Sequence, residues 1–97
     1  MLVVDSAANE APPRNFFTVN KPTLTWNRVA GAVRYEVQVA NNSLFSLAST
    51  YNAGSKLSFQ VILSDGPYYW RVRACSDATA ASCGAWSAAE YFIVDVP

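Results

Sequence analysis

Two cysteines, Cys75 and Cys83, have the most distinctive chemistry in this chain of 97 residues. The sequence contains no histidine, and two thiolates alone cannot complete the four-coordinate site of a structural zinc ion. Their spacing also differs from the C-x-x-C of a thiol redox motif. A disulfide closing the short loop between them is sterically allowed if the two Cα atoms approach to ~4.4–6.8 Å. We therefore predict a Cys75–Cys83 disulfide, which indicates an oxidising compartment.

The remaining polar residues do not combine into a catalytic or cofactor site. Without histidine, the chain lacks an imidazole base and any Ser-His or Cys-His nucleophile pair. Asp65 and Asp77 fall in a predicted turn and loop, and neither has a second acid positioned for glycoside hydrolysis. The loops contain no Gly-rich phosphate cradle. We predict a non-catalytic domain without a cofactor or a metal ion.

Charge and hydropathy restrict the kinds of partner. Seven Lys and Arg residues balance seven Asp and Glu residues, so the formal net charge is zero. Such a chain lacks the long-range field that attracts nucleic acid or an anionic membrane. No apolar stretch approaches the ~20 residues needed to span a bilayer. We expect no nucleic-acid partner and no membrane insertion.

Apolar and polar residues alternate through most of the chain, which is typical of half-buried strands. Three segments, 33–40, 67–75 and 90–96, show the pattern most clearly. One face of each segment is predicted to enter the core, and these inward residues are Val33, Tyr35, Val37, Val39, Tyr68, Trp70, Val72, Ala74, Phe92, Val94 and Val96. The opposite faces carry mainly charged and aromatic residues.

Four shorter segments, 16–19, 22–27, 48–52 and 56–62, complete the predicted strands. Short strands separated by turn signals describe an all-β fold in which two antiparallel sheets form a sandwich. Residues 1–13 lack this periodicity and are predicted to be a linker or a loosely attached N-terminal segment. Residues 14–97 are predicted to form the single domain.

Three stretches of the sequence resemble a fibronectin type III domain, in the version found in modular surface and secreted proteins of bacteria. They read P-T-L-T-W-N-R-V-A-G-A-V-R-Y-E-V-Q-V-A, L-S-D-G-P-Y-Y-W-R-V-R-A and G-A-W-S…F-I-V, in the order of the family. The resemblance implies a seven-stranded antiparallel, immunoglobulin-like Greek-key sandwich, with strands A, B and E packed on strands C′, C, F and G. It also implies a domain that acts as a spacer or as a protein-binding surface.

The resemblance assigns structural roles to the aromatic residues. Trp26 is expected at the centre of the sandwich, and Tyr68 resembles the tyrosine of the E–F corner, whose hydroxyl bonds an upstream backbone group. The spacing from Leu63 is one residue shorter than usual, which makes Tyr69 an alternative, but inward alternation favours Tyr68. The core residues predicted on both grounds are Trp26, Tyr35, Val37, Tyr68, Trp70, Val72 and Phe92.

The outward residues of the predicted C-F-G sheet form a candidate partner-binding face. They are Arg34, Glu36, Gln38, Tyr69, Arg71, Arg73, Trp86 and Tyr91. Arg and Tyr are enriched at protein interfaces, although Arg–Glu pairs and solvated tyrosines are also ordinary on an exposed sheet. In similar bacterial domains the W-S before strand G packs over the arginines of strand F. Trp86 is therefore expected to stack on Arg71 or Arg73, while an exposed tryptophan would also suit a sugar.

These observations favour a structural spacer in a larger multidomain protein that is extracellular or attached to the cell surface. Its partners would then be the neighbouring domains of the same chain. One alternative is a protein-binding, adhesive module that uses the C-F-G face or the F–G loop. Another is a weak carbohydrate-binding module centred on Trp86. The sequence shows no signal peptide, so we expect secretion as part of the larger protein.

Overall fold

The computed structural model describes residues 16–96, which are built almost entirely from β-strands. The strands are β1 (Phe16–Phe17), β2 (Thr23–Thr25), β3 (Arg34–Ala40), β4 (Ser49–Gly54), β5 (Ser58–Gln60), β6 (Gly66–Cys75) and β7 (Glu90–Val94). One 3₁₀ turn, Ala80–Ser82, lies between β6 and β7. Within this part of the chain, no helix is long and apolar enough to cross a membrane. The predicted linker, residues 1–13, lies outside the described residues.

The strands form two sheets, as the alternation predicts. The larger sheet has the order β1-β7-β6-β3-β4, and the smaller one pairs β2 with β5. The run β4-β3-β6-β7 corresponds to the C′-C-F-G sheet that the resemblance implies. The prediction of an all-β, two-sheet architecture is confirmed.

The first strand departs from the predicted topology. It pairs in parallel with β7, with Phe16 opposite Ile93, whereas the resemblance implies a first strand beside β2. Within residues 16–96, six strands therefore pair antiparallel, in place of the seven that the resemblance implies. The packing of Phe17 explains the difference, because its ring meets Phe92 edge-on with 5.4 Å between ring centres. The Asp95 N–H then donates to the Phe17 carbonyl at 3.0 Å.

Pairing in the smaller sheet continues beyond its two short strands. The Trp26 N–H donates to the Leu57 carbonyl at 3.1 Å, and the Val61 N–H donates to the Pro22 carbonyl at 3.1 Å. These bonds satisfy backbone groups that burial would otherwise leave unpaired. They extend the pairing towards the strand lengths that the alternation predicts.

The core lies between the sheets and follows the alternation of β3 and β6. Val37 and Val72 have no exposed surface, and the Trp26 ring lies 5.8 Å from the ring of Tyr35 and 6.3 Å from that of Trp70. Burying one large apolar side chain contributes ~1.5–3 kcal/mol, so this cluster dominates the stability of the domain. Its buried members are Leu24, Trp26, Tyr35, Val37, Val39, Ala53, Val61, Trp70, Val72, Ala74, Phe92 and Val94.

Two predicted core positions are exposed instead. Val33 retains 54% of its surface and Val96 retains 39%. β3 begins one residue after Val33, and β7 ends two residues before Val96. The alternation therefore continues along the sequence past the point at which the opposing sheet covers the strand.

Tyr68 occupies the corner that the resemblance assigns to it. Its hydroxyl donates to the Ser64 carbonyl at 2.8 Å, and its ring stacks on Phe92 with 5.6 Å between centres. Tyr69, the alternative, points to the other side of the sheet and lies 5.1 Å from the ring of Tyr91. The inward alternation of β6 therefore distinguishes the two tyrosines correctly.

Candidate functional site

β3 and β6 bring charged residues into register on the solvent side of the larger sheet. Glu36 lies opposite Arg73, and Gln38 lies opposite Arg71. Their immediate neighbours along each strand enter the core, so one alternation builds both sides of the sheet. We call the solvent side the outer face, and its predicted members are Arg34, Glu36, Gln38, Tyr69, Arg71, Arg73, Trp86 and Tyr91.

Glu36 binds two arginines at once. Its Oε2 accepts a hydrogen bond from Arg34 Nη1 at 2.7 Å, and its Oε1 accepts from Arg73 Nη2 at 2.6 Å and Nε at 2.9 Å. Burial raises the pKa of Glu36, but the hydrogen bonds and positive charges of the two arginines outweigh burial and lower this pKa below its usual value. The carboxylate is therefore charged at neutral pH and holds β3 to β6.

Arg71 has an amide partner instead of a carboxylate. Its Nε donates to Gln38 Oε1 at 2.8 Å, and Gln38 Nε2 donates in turn to Thr50 Oγ1 on β4 at 3.1 Å. Among residues 16–96, no carboxylate lies within ion-pair distance of Arg71. Burial, together with the nearby charge of Arg73, lowers the pKa of Arg71 from its usual value. This arginine is a partly desolvated cation to which the described part of the chain supplies no counter-ion.

Two aromatic rings cover the arginines of β6. The guanidinium carbon of Arg73 lies 4.5 Å from the centre of the Trp86 ring, and that of Arg71 lies 5.0 Å from the same centre. Arg71 is also 4.0 Å from the centre of the Phe45 ring. Each such cation–π contact contributes ~0.5–1 kcal/mol at an exposed site and more when desolvated. Trp86 thus stacks on both arginines, as the resemblance leads us to expect.

Ser87 holds Trp86 in place although neither residue belongs to β7. Ser87 is buried, its N–H donates to the Val72 carbonyl at 2.8 Å, and its Oγ accepts the Val72 N–H at 3.1 Å. The regular pairing of β6 with β7 ends at Trp70, so the Val72 N–H has no backbone acceptor from β7. The Ser87 hydroxyl accepts its hydrogen bond instead. The position of the Trp86 ring on the outer face follows from this anchoring.

The predicted disulfide between Cys75 and Cys83 is confirmed. The two residues face each other as an isolated antiparallel bridge, and their Cα atoms are 3.9 Å apart, closer than the range expected from the sequence. The Glu36 carboxylate and both sulfur atoms lie within 4.8 Å of one another. Because both sulfur atoms are oxidised, neither is a thiolate, and this cluster does not supply the ligands of a thiolate metal site.

Arg34 fastens the loop that the disulfide closes. Its Nε donates to the Asp77 carbonyl at 2.9 Å, and its Nη2 donates to the Thr79 carbonyl at 3.2 Å. The Thr79 N–H and hydroxyl both donate to Asp77 Oδ1, and these bonds, followed by one from Ser82, are the main causes that lower the pKa of Asp77. The loop after β6 is therefore ordered by side-chain bonds as well as by the disulfide.

Three residues that organise the outer face are not evident from the alternation. Phe45 lies in the loop between β3 and β4 with a φ of +56° and is buried, whereas the apolar Leu44 and Leu47 of the same loop are exposed, so apolar character alone does not identify it. Thr50 follows the same polar and apolar alternation as any residue of an edge strand, so the pattern does not identify it as the partner of Gln38. Ser87 bonds Val72 from outside the regular strands, and alternation does not predict such a bond. Their roles depend on where loops return to the sheet, which strand periodicity does not encode.

A cavity of about 290 Å³ lies where β3 ends and β4 begins. Its apolar wall includes Val39, Leu63 and Tyr51, and its polar rim includes Asn42 and Ser46. Among the described residues that line it, none has an acidic or basic side chain.

Comparisons with known proteins support the fold. No family model matches the chain, and no curated protein matches it significantly. Among solved structures, this chain is similar to the fibronectin type-III domain of human fibronectin type III domain containing protein 3. The TM-score is 0.63 at 15% sequence identity, and the match covers 84% of this chain and 78% of that chain. The 6th fibronectin type III domain of the human protein of the same name matches with a TM-score of 0.59, 15% identity, and coverage of 82% and 76%. The chain therefore has the fibronectin type III fold.

Proposed function

We propose that this chain is a non-catalytic module of a larger extracellular protein, in which it serves as a structural spacer. The fibronectin type III fold is typical of modular, non-catalytic domains, and the disulfide is compatible with an extracellular location. The resemblance of its motifs to those of bacterial surface proteins favours a surface or secreted parent protein. The observation that carries the spacer role is the parallel pairing of β1 with β7.

Parallel first and last strands give the chain one direction through the domain. β1 runs beside β7 at the edge of the larger sheet, so the chain enters β1 and leaves β7 with the same heading. This shared heading favours a domain that continues the direction of a multidomain chain over one that reverses it. The longest dimension of the domain is 40 Å, and the packed core makes that length a fixed one.

The spacer role can be tested by placing the full chain between two copies of a rigid, monomeric reporter domain. Small-angle X-ray scattering should then give a maximum dimension that exceeds that of a direct fusion of the two reporters by on the order of the length of this domain. A Gly/Ser linker of equal residue number is the matched control, and it should give a broad distribution of dimensions. Reporters that lie side by side, with a maximum dimension equal to that of the direct fusion, would overturn the proposal.

The carbohydrate alternative receives less support from the outer face. A sugar platform needs an open aromatic ring, whereas the ring of Trp86 already lies over Arg71 and Arg73. Glycan-array binding that is lost in Trp86→Ala would favour this alternative. An array without signal would exclude the glycans it displays.

A further inference from the structure

We propose that Arg71 anchors a protein-binding surface and receives a side-chain carboxylate from an acidic segment of a partner protein. This role is independent of the spacer function, because a spacer needs only a rigid fold and a direction. The surface comprises Arg71, the rings of Phe45 and Trp86, and the neighbouring tyrosines Tyr69 and Tyr91.

The outer face carries a surplus of positive charge. Arg34 and Arg73 share the single carboxylate of Glu36, and the described residues supply no second carboxylate to Arg71. The whole chain is formally neutral, so the surplus is local to this face. Complementary charge steers a partner to such a patch and fixes its orientation, which favours an acidic segment.

Arg71 also has hydrogen-bond donors to spare. Its Nε is bonded to Gln38, but neither Nη1 nor Nη2 has an acceptor among the described residues. The side chain is half-buried, and within residues 16–96 the only buried side-chain nitrogen or oxygen without a partner is Nε1 of Trp26, which lies outside this surface. The two Nη groups form a planar fork that matches the two oxygens of a carboxylate.

The side chain is held in place before any partner arrives. Phe45 and Trp86 contact the guanidinium group, and the bond to Gln38, which itself bonds Thr50, limits its rotation. Binding therefore costs less side-chain entropy than it would for a free surface arginine. Burial has already lowered the pKa of Arg71, and a carboxylate would compensate its desolvated charge.

The surroundings favour a protein over a polyanion. Nucleic acids and sulfated glycans bind through rows of cations, but Arg34 and Arg73 already donate to Glu36, and Arg34 also donates to the loop carbonyls. One arginine with a free fork suits one carboxylate. The adjacent Tyr69–Tyr91 pair, with Tyr91 39% exposed, adds the aromatic surface that is enriched at protein interfaces.

The test uses the oxidised full chain and a capped hexaglutamate peptide as the probe. NMR signals of the arginine Nε–H groups and tryptophan indoles are followed during the titration. We expect saturable shifts at Arg71 and Trp86 that weaken as salt is added. A capped hexaglutamine peptide should cause no such shifts. Because the wild-type spectrum locates the binding arginine directly, this measurement does not depend on the folding of any variant.

Substitutions of Arg71 then measure how much its planar guanidinium fork contributes to the affinity for hexaglutamate. Arg71→Gln should weaken binding on the order of tenfold or more, since a charge-assisted hydrogen bond contributes ~1.5–3 kcal/mol. Arg71→Lys keeps the charge without the planar fork and should lie between the wild type and Arg71→Gln. Arg28→Gln, at an exposed position between β2 and β3, is the matched control and should leave the affinity unchanged.

Four results would overturn the proposal. They are the absence of a saturable shift, shifts centred on Arg28, unchanged binding in a folded Arg71→Gln variant, and a heparin fragment or single-stranded oligonucleotide that binds Arg71 at least as tightly as hexaglutamate. The last result would assign the outer face to polyanions in place of an acidic protein segment.

Discussion

The two faces of the β3–β6 pair share one backbone and are stabilised in opposite ways. On the inner face Val37 lies opposite Val72 without exposed surface, and on the outer face Glu36 lies opposite Arg73 in an ion pair. Residues adjacent in sequence thus depend on different forces. The inner face depends on excluding water and filling volume, whereas the outer face depends on charge and therefore responds to pH and salt.

The largest expected effect comes from emptying the inner face. Trp26→Ala should lower the free energy of unfolding by ~3–5 kcal/mol, because it removes a buried ring that contacts both Tyr35 and Trp70. Urea unfolding monitored by circular dichroism measures this loss. Trp26→Phe is the control and should cost less than half as much, since it keeps a ring and removes an indole N–H without a partner. A loss below about 1 kcal/mol for Trp26→Ala would mean that the inner face does not dominate stability.

The second largest effect is expected from removing the disulfide, which joins the last residue of β6 to the loop that follows it. The double variant Cys75→Ala/Cys83→Ala should lose ~2–3 kcal/mol, because the unfolded chain gains the freedom of a short open loop. The measurement is the urea midpoint of the double variant against that of the oxidised protein. Chemical reduction of the wild type should produce a loss of similar size, and reduction without any loss would contradict this prediction.

Removing the carboxylate of the outer face should cost less and depend on pH. Glu36→Gln should destabilise by about 2 kcal/mol at neutral pH, because Arg34 and Arg73 lose their shared partner. The pKa of Glu36 is lowered in the folded state, so its stabilisation is complete above the ordinary glutamate pKa and is lost as the pH falls through the folded value. Urea unfolding of both proteins at about pH 7 and about pH 3 should therefore show a gap that narrows in acid.

The matched control for this pH effect is Asp95→Asn, which alters an exposed acid near the end of the chain. It should change stability by less than about 0.5 kcal/mol at either pH. A gap between wild type and Glu36→Gln that stays constant across the same pH range would place the contribution of Glu36 in packing and not in charge.

The smallest expected effect concerns the ring above the arginines. Trp86→Leu keeps an apolar side chain but removes two cation–π contacts, so we expect a loss of ~1–2 kcal/mol. Trp86→Phe retains an aromatic face and should lose less than half of that. Thermal and urea unfolding of the two variants provide the comparison, and equal losses would show that the volume of the ring matters more than its π face.

The sequence predicts both faces of β3 and β6 because these strands are long and covered along most of their length. Each outward Arg, Glu or Gln then falls beside its partner once the register is set. Alternation places Val33 and Val96 inward, although both are exposed, because it carries no information about where the opposing sheet ends. The pairing of β1 with β7 depends on the burial of Phe17 against Phe92, a contact between distant parts of the chain.

The sequence likewise predicts part of the candidate site on the outer face. The charged residues and Trp86 follow from alternation and from the resemblance, but Phe45 does not. Its left-handed backbone, with a φ of +56°, turns a loop residue back onto the sheet, and non-glycine residues seldom adopt that conformation. The environment that makes Arg71 distinctive therefore depends on a loop whose course the alternation leaves open.

The parallel edge of the larger sheet has a mechanical consequence. If the two ends of the domain are pulled apart, tension acts on β1 and β7 in opposite senses along their common axis. The hydrogen bonds between these strands are then loaded in shear, and they must fail together before the core is reached. The Cys75–Cys83 disulfide lies outside this pairing, so in the oxidised protein its loop stays closed and shortens the chain that unfolding releases.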